Sequence, residues 1–297
     1  MLDTQTTTQA ITVPVATQKE PGRASAAKSS WWIYVLLTLG LILMVIPFIW
    51  MVFSSLKYPA ELALVPPTWI PQAPTLNNYY RLFNNFNFPP YFLNSVILGV
   101  SVTGLNMLFC SMLGYALAKL KFGGKNVLFL LVLTTMMVPA AVTYVPLFVL
   151  MSKIHLVNTL PAVILPEAAT GFNVFLMRQF MLGIPDELLE AGRVDGASEF
   201  FLFWKVALPL AKPALATVGI LTFLGSWNDF FWPLIVLTSD QKYNLPVALA
   251  TFAIGQHGSD NGLLLAGAVV IVLPILVIFL LLQRYITQGI AMTGLKG

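Results

Sequence analysis

Apolar residues run along this chain in six blocks, at 31–53, 93–117, 127–151, 160–181, 214–237 and 263–282, with more polar stretches between them. A helix needs about 20 predominantly apolar residues to cross a bilayer, and each block meets that length. The pattern therefore predicts an all-α, polytopic membrane protein with six transmembrane helices. A β-barrel would show short alternating segments, which these long unbroken runs are not. Pro139, Pro146 and Pro274 sit inside blocks and predict kinks, because neighbouring helices re-satisfy carbonyls that proline frees. The fourth block is the most irregular, holding Pro161, Pro166, Glu167 and Arg178.

Residues 1–30 are rich in Thr, Gln, Ala and Ser with scattered charge, too polar to fold alone. They read as a disordered cytoplasmic tail ahead of a transmembrane domain, 31–297. The apolar block that follows is too long for a cleavable signal and lacks a small-residue cleavage pattern. Between the first two blocks, 58–91 is rich in Pro, Asn and aromatic residues and predicts an ordered external loop with short interfacial helices.

Composition agrees with this class: 58% hydrophobic, 9% charged over 297 residues, with a mean hydropathy of +0.81. The net charge of +4 is explained by topology rather than by nucleic acid. With the N-terminus inside, the inner segments carry Lys19, Arg23, Lys28, Lys119, Lys121, Lys125, Arg178, Arg193, Lys205, Lys212, Arg284 and Lys296. The outer ones carry only Lys57, Arg81, Lys153 and Lys242. That positive-inside bias predicts two cytoplasmic termini. Cys110 is the single cysteine; it can form no intrachain disulfide and reads as a packing residue. His155 and His257 fall in external loops without neighbouring acids or cysteines, so no metal site is expected.

One segment breaks the apolar theme. Residues 190–209 form a charged, amphipathic island between the fourth and fifth blocks. Pro185 suits a first helical position, and Asp186, Glu187 and Glu190 suit the positive end of the dipole that follows. Asp195-Gly196 predicts a turn. Ser198 or Asp195 then caps a second helix bearing Phe200, Phe201, Phe203 and Trp204, which Leu208-Pro209 ends. The alternative is an interfacial helix lying on lipid.

This island resembles the cytoplasmic coupling loop of the permease subunits of ATP-binding-cassette importers. That loop reads Glu-Ala-Ala, three residues, Gly, nine residues, Ile, any residue, Leu-Pro. Here Glu190-Ala191-Gly192, Gly196 and Val206-Ala207-Leu208-Pro209 keep the spacing, with Gly192 for Ala and Val206 for Ile. The remainder after residue 30 is similar to the smaller permease subunit of maltose-type carbohydrate importers. Ser54-Ser55-Leu56-Lys57, Asn94-Ser95, Gly114-Tyr115-Ala116-Leu117-Ala118 and Ser226-Trp227-Asn228-Asp229-Phe230 carry that likeness, with Gln283-Arg284-Tyr285, Gly289 and the closing Gly294-Leu295-Lys296-Gly297. The resemblance implies that an ATPase docks on a loop of about 185–210 through Glu190, Ala191, Gly192, Asp195, Gly196, Phe201, Trp204, Leu208 and Pro209. It implies a second permease subunit, two cytoplasmic ATPase subunits, an external solute-binding protein and a place in the bacterial cytoplasmic (inner) membrane. ATP and Mg would be bound by the ATPase, and no cofactor by this chain.

Polar groups inside the blocks are candidates for the substrate path. An intramembrane carboxylate costs about 2.5–3.5 kcal/mol on insertion scales, so Asp229 and Glu167 should face a partner or a watery cavity. Trp227, Asn228 and Asn173 join them as candidates, although Asn173, like Asn94 and Asn106, also reads as a packing hydrogen bond. No phosphate-binding Gly-x4-Gly-Lys-Ser/Thr loop, His-Glu-x2-His or Gly-x-Ser-x-Gly occurs, so neither an ATPase nor a hydrolase is expected. A stand-alone secondary transporter, an intramembrane enzyme, and a related cargo such as glycerol phosphate are the competing readings.

Overall fold

The computed structural model describes residues 31–84, 88–254 and 260–294. The 1–30 tail, His257 and Lys296 lie outside them. Every described element is helical. The chain divides after residue 49; in the first body, 31–49 is helical and apolar on every face, as suits a lipid or helix environment. Helix α1 runs over Trp31–Ser55.

In the second body, α2 (Pro59–Leu62) and α3 (Asn77–Asn84) break up the loop predicted between the first blocks. Its buried charges are satisfied locally. Lys57 Nζ donates to Thr68 O, and Glu61 Oε1 accepts from Thr68 Oγ1 and Gln72 N, both at 2.9 Å. Asn78 donates to the carbonyls of Ser55 and Lys57 at 2.8 Å, and Arg81 pairs with Asp260.

Helix α4 (Phe88–Lys119) has 32 residues. At 1.5 Å per residue it is about 48 Å long, against about 30 Å of hydrocarbon, so its turns project beyond the apolar layer. Helices α5 (Lys125–Met137) and α6 (Ala140–Lys153) meet at 105°. The third block is therefore a pair of helices sharply bent at Pro139. Pro139 ends α5 because it drives Val138 into extended backbone (φ −86°, ψ 120°). Pro146 and Pro274, by contrast, lie inside unbroken helices.

The fourth block breaks into α7 (Leu160–Ile164) and α8 (Gly171–Leu182), bent by 41° across 167–170. Next come α9 (Asp186–Val194), α10 (Glu199–Leu202), a π turn over Phe203–Ala207, and α11 (Leu208–Leu210). Helix α12 (Lys212–Asn228) leaves that segment at 80°. It stops nine residues short of the predicted end of its block, 237 against 228, because the chain extends at Asp229 (φ −65°, ψ 127°). Helices α13 (Phe231–Val236), α14 (Leu245–Ile254) and α15 (Asn261–Gly294) complete the order. Helices α1, α4 and α15 are long and apolar enough to cross a membrane singly; counting each bent pair as one span gives six.

The core that positions the functional elements lies where α4, α8 and α12 pack together. Cys110 and Tyr115 of α4, Val174, Met177 and Met181 of α8, and Ala214 and Val218 of α12 are all buried in one cluster. Leu189, Leu202 and Phe203 of the 190–209 segment and its flank belong to the same cluster. The polar island is thus part of the core.

Candidate functional site: a docked polar segment and an acceptor-lined cavity

The island folds as a helix, a glycine turn and a second helix. Pro185 occupies the position before the helix (φ −57°, ψ 133°), one residue earlier than its composition predicts. Asp186 and Glu187 fill the first turn, and Arg193 the last, so each end of the macrodipole meets the opposite charge. Asp195 ends α9, its N–H donating to Ala191 O at 3.1 Å. Gly196 follows at φ +81°, a conformation costly for residues with a Cβ. Ser198, rather than Asp195, caps α10, accepting from Phe201 N at 3.3 Å.

Gly192 has a steric reason. A Cβ there would lie 2.5 Å from Leu202 Cδ2, so the buried Leu202 fills the space an alanine methyl would take. The two helices of the knob are locked at this contact.

The aromatic residues divide between two roles. Phe200, Phe201 and Trp204 are exposed, Phe201 at 52%, and form an outward apolar patch. Phe203 instead points inward, its ring 5.5 Å from that of Tyr115. Nor do Leu208 and Pro209 stop the segment. They continue as α11, and the break comes at Ala211. Residues 199–210 run as one helix through the π turn, with Pro209 inside it.

Tyr115 and Lys119 bind the knob to the end of α4, and Arg193 braces it internally. Tyr115 Oη donates to Glu199 Oε2 at 2.8 Å. Arg193 Nε donates to Glu199 Oε1 at 2.6 Å, with a second, longer bond from its Nη2 at 3.3 Å. Lys119 Nζ donates to Ile184 O and to Asp186 Oδ1, each at 2.6 Å. The Lys119 hydrogen bond holds the Asp186 carboxyl below its ordinary range, and Arg193 does the same for Glu199. Glu190 and Ala191 lie on the exposed side; Glu190 lines a shallow basin with Lys119, Lys121 and Arg193.

A second feature lies deeper. A cavity of about 360 Å³ is lined by Glu167, Thr170, Asn173, Thr222, Ser226 and Asp229, among others. Helix breaks place its acids: Glu167 precedes α8, and Asp229 follows α12. Asn106 Nδ2 replaces a lost helical partner by donating to Glu167 O at 2.9 Å. The Glu167 and Asp229 carboxyls are direct neighbours. Asp229 Oδ2 and Asn173 Oδ1 are buried with no hydrogen-bond partner.

Two path candidates do not reach this cavity. Trp227 is buried at 1% exposure, donates its indole N–H to Ile271 O at 3.1 Å, and stacks on Phe223. Asn228 is exposed and bonds back to Leu224 O at 2.8 Å. Successive helical residues point about 100° apart, so adjacency to Asp229 in sequence does not carry over to a shared face. Asn94 and Asn106 make packing bonds to backbone, as expected.

Sequence reading missed Tyr115, Lys119, Arg193 and Glu199 as a group. A faint signal existed: Tyr115 and Lys119 are four apart on α4 and share a face.

A family model described as "Binding-protein-dependent transport system inner membrane component" matches residues 110–292. The chain is 41% identical over 269 residues to the arabinooligosaccharides transport system permease protein AraQ of Halalkalibacterium halodurans, covering 88% of this chain and 96% of that one. It is 34% identical over 261 residues to the diacetylchitobiose uptake system permease protein NgcG of Streptomyces coelicolor, covering 87% and 86%. A solved structure of a bacterial ABC transporter involved in the import of the acidic polysaccharide alginate matches with a TM-score of 0.76. The identity is 25%, with 89% of this chain and 99% of that one covered.

Proposed function

Because the chain belongs to the family of binding-protein-dependent transport system inner membrane components, we propose that it is the sugar-translocating permease subunit of an ATP-driven importer, worked by an ATPase docked on residues 185–210. The observation that carries this reading is the build of that segment. It presents exposed Phe200, Phe201 and Trp204 outward, while Leu189, Leu202 and Phe203 anchor it in the core. A floppy loop would absorb a push; this one passes it on.

The mechanism follows from the contacts. Closure of the ATPase pair on ATP moves the knob as one body, because the Gly192–Leu202 contact and the Arg193–Glu199 pair hold its helices together. Tyr115 and Lys119 pass the motion to α4, and the turn at Ala211 passes it to α12. Helix α12 carries Thr222 and Ser226 and Asp229 follows it, so the cavity those residues line changes shape. Alternating access then requires that the two states differ in their affinity for cargo. Glu167, Asn173 and Asp229 are the groups of this chain that face the cargo.

Partners in this reading are a second permease subunit, two cytoplasmic ATPase subunits that bind ATP and Mg, and an external solute-binding protein. Both termini and the knob lie on the cytoplasmic side, as the Lys and Arg distribution favours. No catalytic role is assigned to this chain.

The test is co-purification. The detergent-solubilised wild-type complex retains its ATPase, and a Phe201→Ala/Trp204→Ala variant loses it while still inserting and folding. Retention of the ATPase by that variant would refute docking on this face.

A further inference from the structure

The cavity between α8 and α12 has a polar inventory that bears on which sugars pass. Its orientation is fixed by the amide network beneath it. Asn173 spends both amide hydrogens, on Asn106 Oδ1 at 2.8 Å and Thr222 Oγ1 at 2.9 Å. Flipping Asn173 would set its oxygen against Asn106 Oδ1, acceptor against acceptor. Asn106 cannot flip in turn, because its own Nδ2 holds Glu167 O and its Oδ1 accepts from Cys110 Sγ at 3.1 Å. Asn173 Oδ1 therefore stays free, although the residue is only 5% exposed.

Beside it stand two carboxyl groups, Glu167 and Asp229, of which Asp229 Oδ2 is also free. Among the described residues, no Lys, Arg or His lines the cavity. The two carboxyl groups are in hydrogen-bonding contact, and the negative charge that the pair carries repels any further anion. The lining offers hydroxyls from Thr170, Thr222 and Ser226 and two acids, and no positive charge among the described residues.

We propose that this cavity is a charge filter, accepting saccharides that bring hydroxyl or amine donors and rejecting acidic ones. The proposal rests on the reading of this chain as a sugar permease. The fold does not set the sign of the charge, since the matching architecture serves the import of an acidic polysaccharide. Glu167 and Asp229 set it here. Neutral glycans meet no charge penalty there, amino sugars gain charge attraction, and uronic acids meet repulsion without a cation among the described lining residues to offset it.

The test needs no knowledge of the natural cargo. Gly225 lines the cavity, and a Cβ placed there meets nothing within 4 Å. On a Cys110→Ala background, Gly225→Cys is the only cysteine in the chain. In the purified complex its thiol is challenged with a cationic trimethylammonium methanethiosulfonate and an anionic sulfonate one. Each rate is normalised to that of a Val194→Cys control on the knob, where the side chain is 87% exposed.

The filter predicts that the cationic reagent reacts about tenfold or more faster, the scale of charge focusing in a low-dielectric cleft. Glu167→Gln/Asp229→Asn should bring the ratio close to the control value. The single variants Glu167→Gln and Asp229→Asn should each give a partial loss, which covers the case of a double variant that misfolds. Equal rates in the parent, or a preference unchanged by neutralising the acids, would overturn the filter while leaving the path reading intact. A thiol that neither reagent reaches would show a sealed cavity, and would overturn the path role of these residues as well.

Discussion

Tyr115 and Glu199 are 84 residues apart and joined by a 2.8 Å hydrogen bond from phenol to carboxylate. That bond ties the projecting end of α4 to the second helix of the knob, and Arg193 braces the same carboxylate from the other side. A push on the exposed aromatic patch therefore reaches a membrane helix through a charged contact, in addition to apolar packing.

Tyr115→Phe removes that bond and keeps the ring packed, tilted, against Phe203. Glu199 is 42% exposed, so water takes over part of the lost interaction. The loss is about 1 kcal/mol, a low value for a bond to a charged group, and corresponds to roughly a fivefold effect. Transport per ATP hydrolysed should fall by about that factor with the complex intact, measured in proteoliposomes against the wild type. An unchanged ratio would remove Tyr115 from the pathway.

Gly196→Val tests the turn itself. Left-handed backbone costs L-residues roughly 1–2 kcal/mol, and a β-branched side chain fits it worst. Because nothing lies near the Gly196 Cβ position, the damage comes from backbone geometry and not from a clash. ATPase binding should weaken several-fold, while Gly196→Asn, which tolerates this conformation, stays close to wild type.

The tether has a pH dependence with a definite sign. Asp186 and Glu199 are held below their ordinary range by Lys119 and Arg193 respectively. Depressed carboxyl groups contribute stability above their unfolded values and lose it as pH falls through the folded ones. Hydrogen exchange over 186–202 should therefore be flat from neutral pH down to the carboxylate range, once intrinsic rates are corrected, and rise only in more acidic buffer. Loosening that begins near pH 6 would point to a different group.

Asn106→Leu removes the hub under the cavity. Its amide serves Glu167 O, Asn173 and Cys110, and each buried group left unpaired costs about 1–3 kcal/mol. The melting temperature of the solubilised complex should drop by several degrees. Cys110→Ala should cost much less, because the thiol is only a weak donor.

The six apolar blocks and the spacing of the island were legible because bilayer thickness and turn chemistry act on local sequence. Residues such as Gly196 and Ser198 carry their conformations with them. What stayed hidden depends on tertiary contact. Pro139 ends a helix where Pro146 and Pro274 do not, and only the surrounding packing distinguishes them. Phe203 and Trp204 look alike in sequence, but the π turn sends one toward Tyr115 and the other toward solvent. Glu167 and Asp229 share a cavity because two separate helices break beside it. Trp227, next to Asn228 and Asp229 in sequence, packs against α15 instead.

The most direct test of the account is sugar uptake by proteoliposomes that contain both permease subunits and the solute-binding protein, with and without the ATPase. With a neutral saccharide as cargo, uptake should require both the ATPase and ATP, and should be lost in the Phe201→Ala/Trp204→Ala variant. Uptake that continues without the ATPase, driven by the solute gradient or by an ion gradient, would contradict the central claim that this chain is worked from residues 185–210.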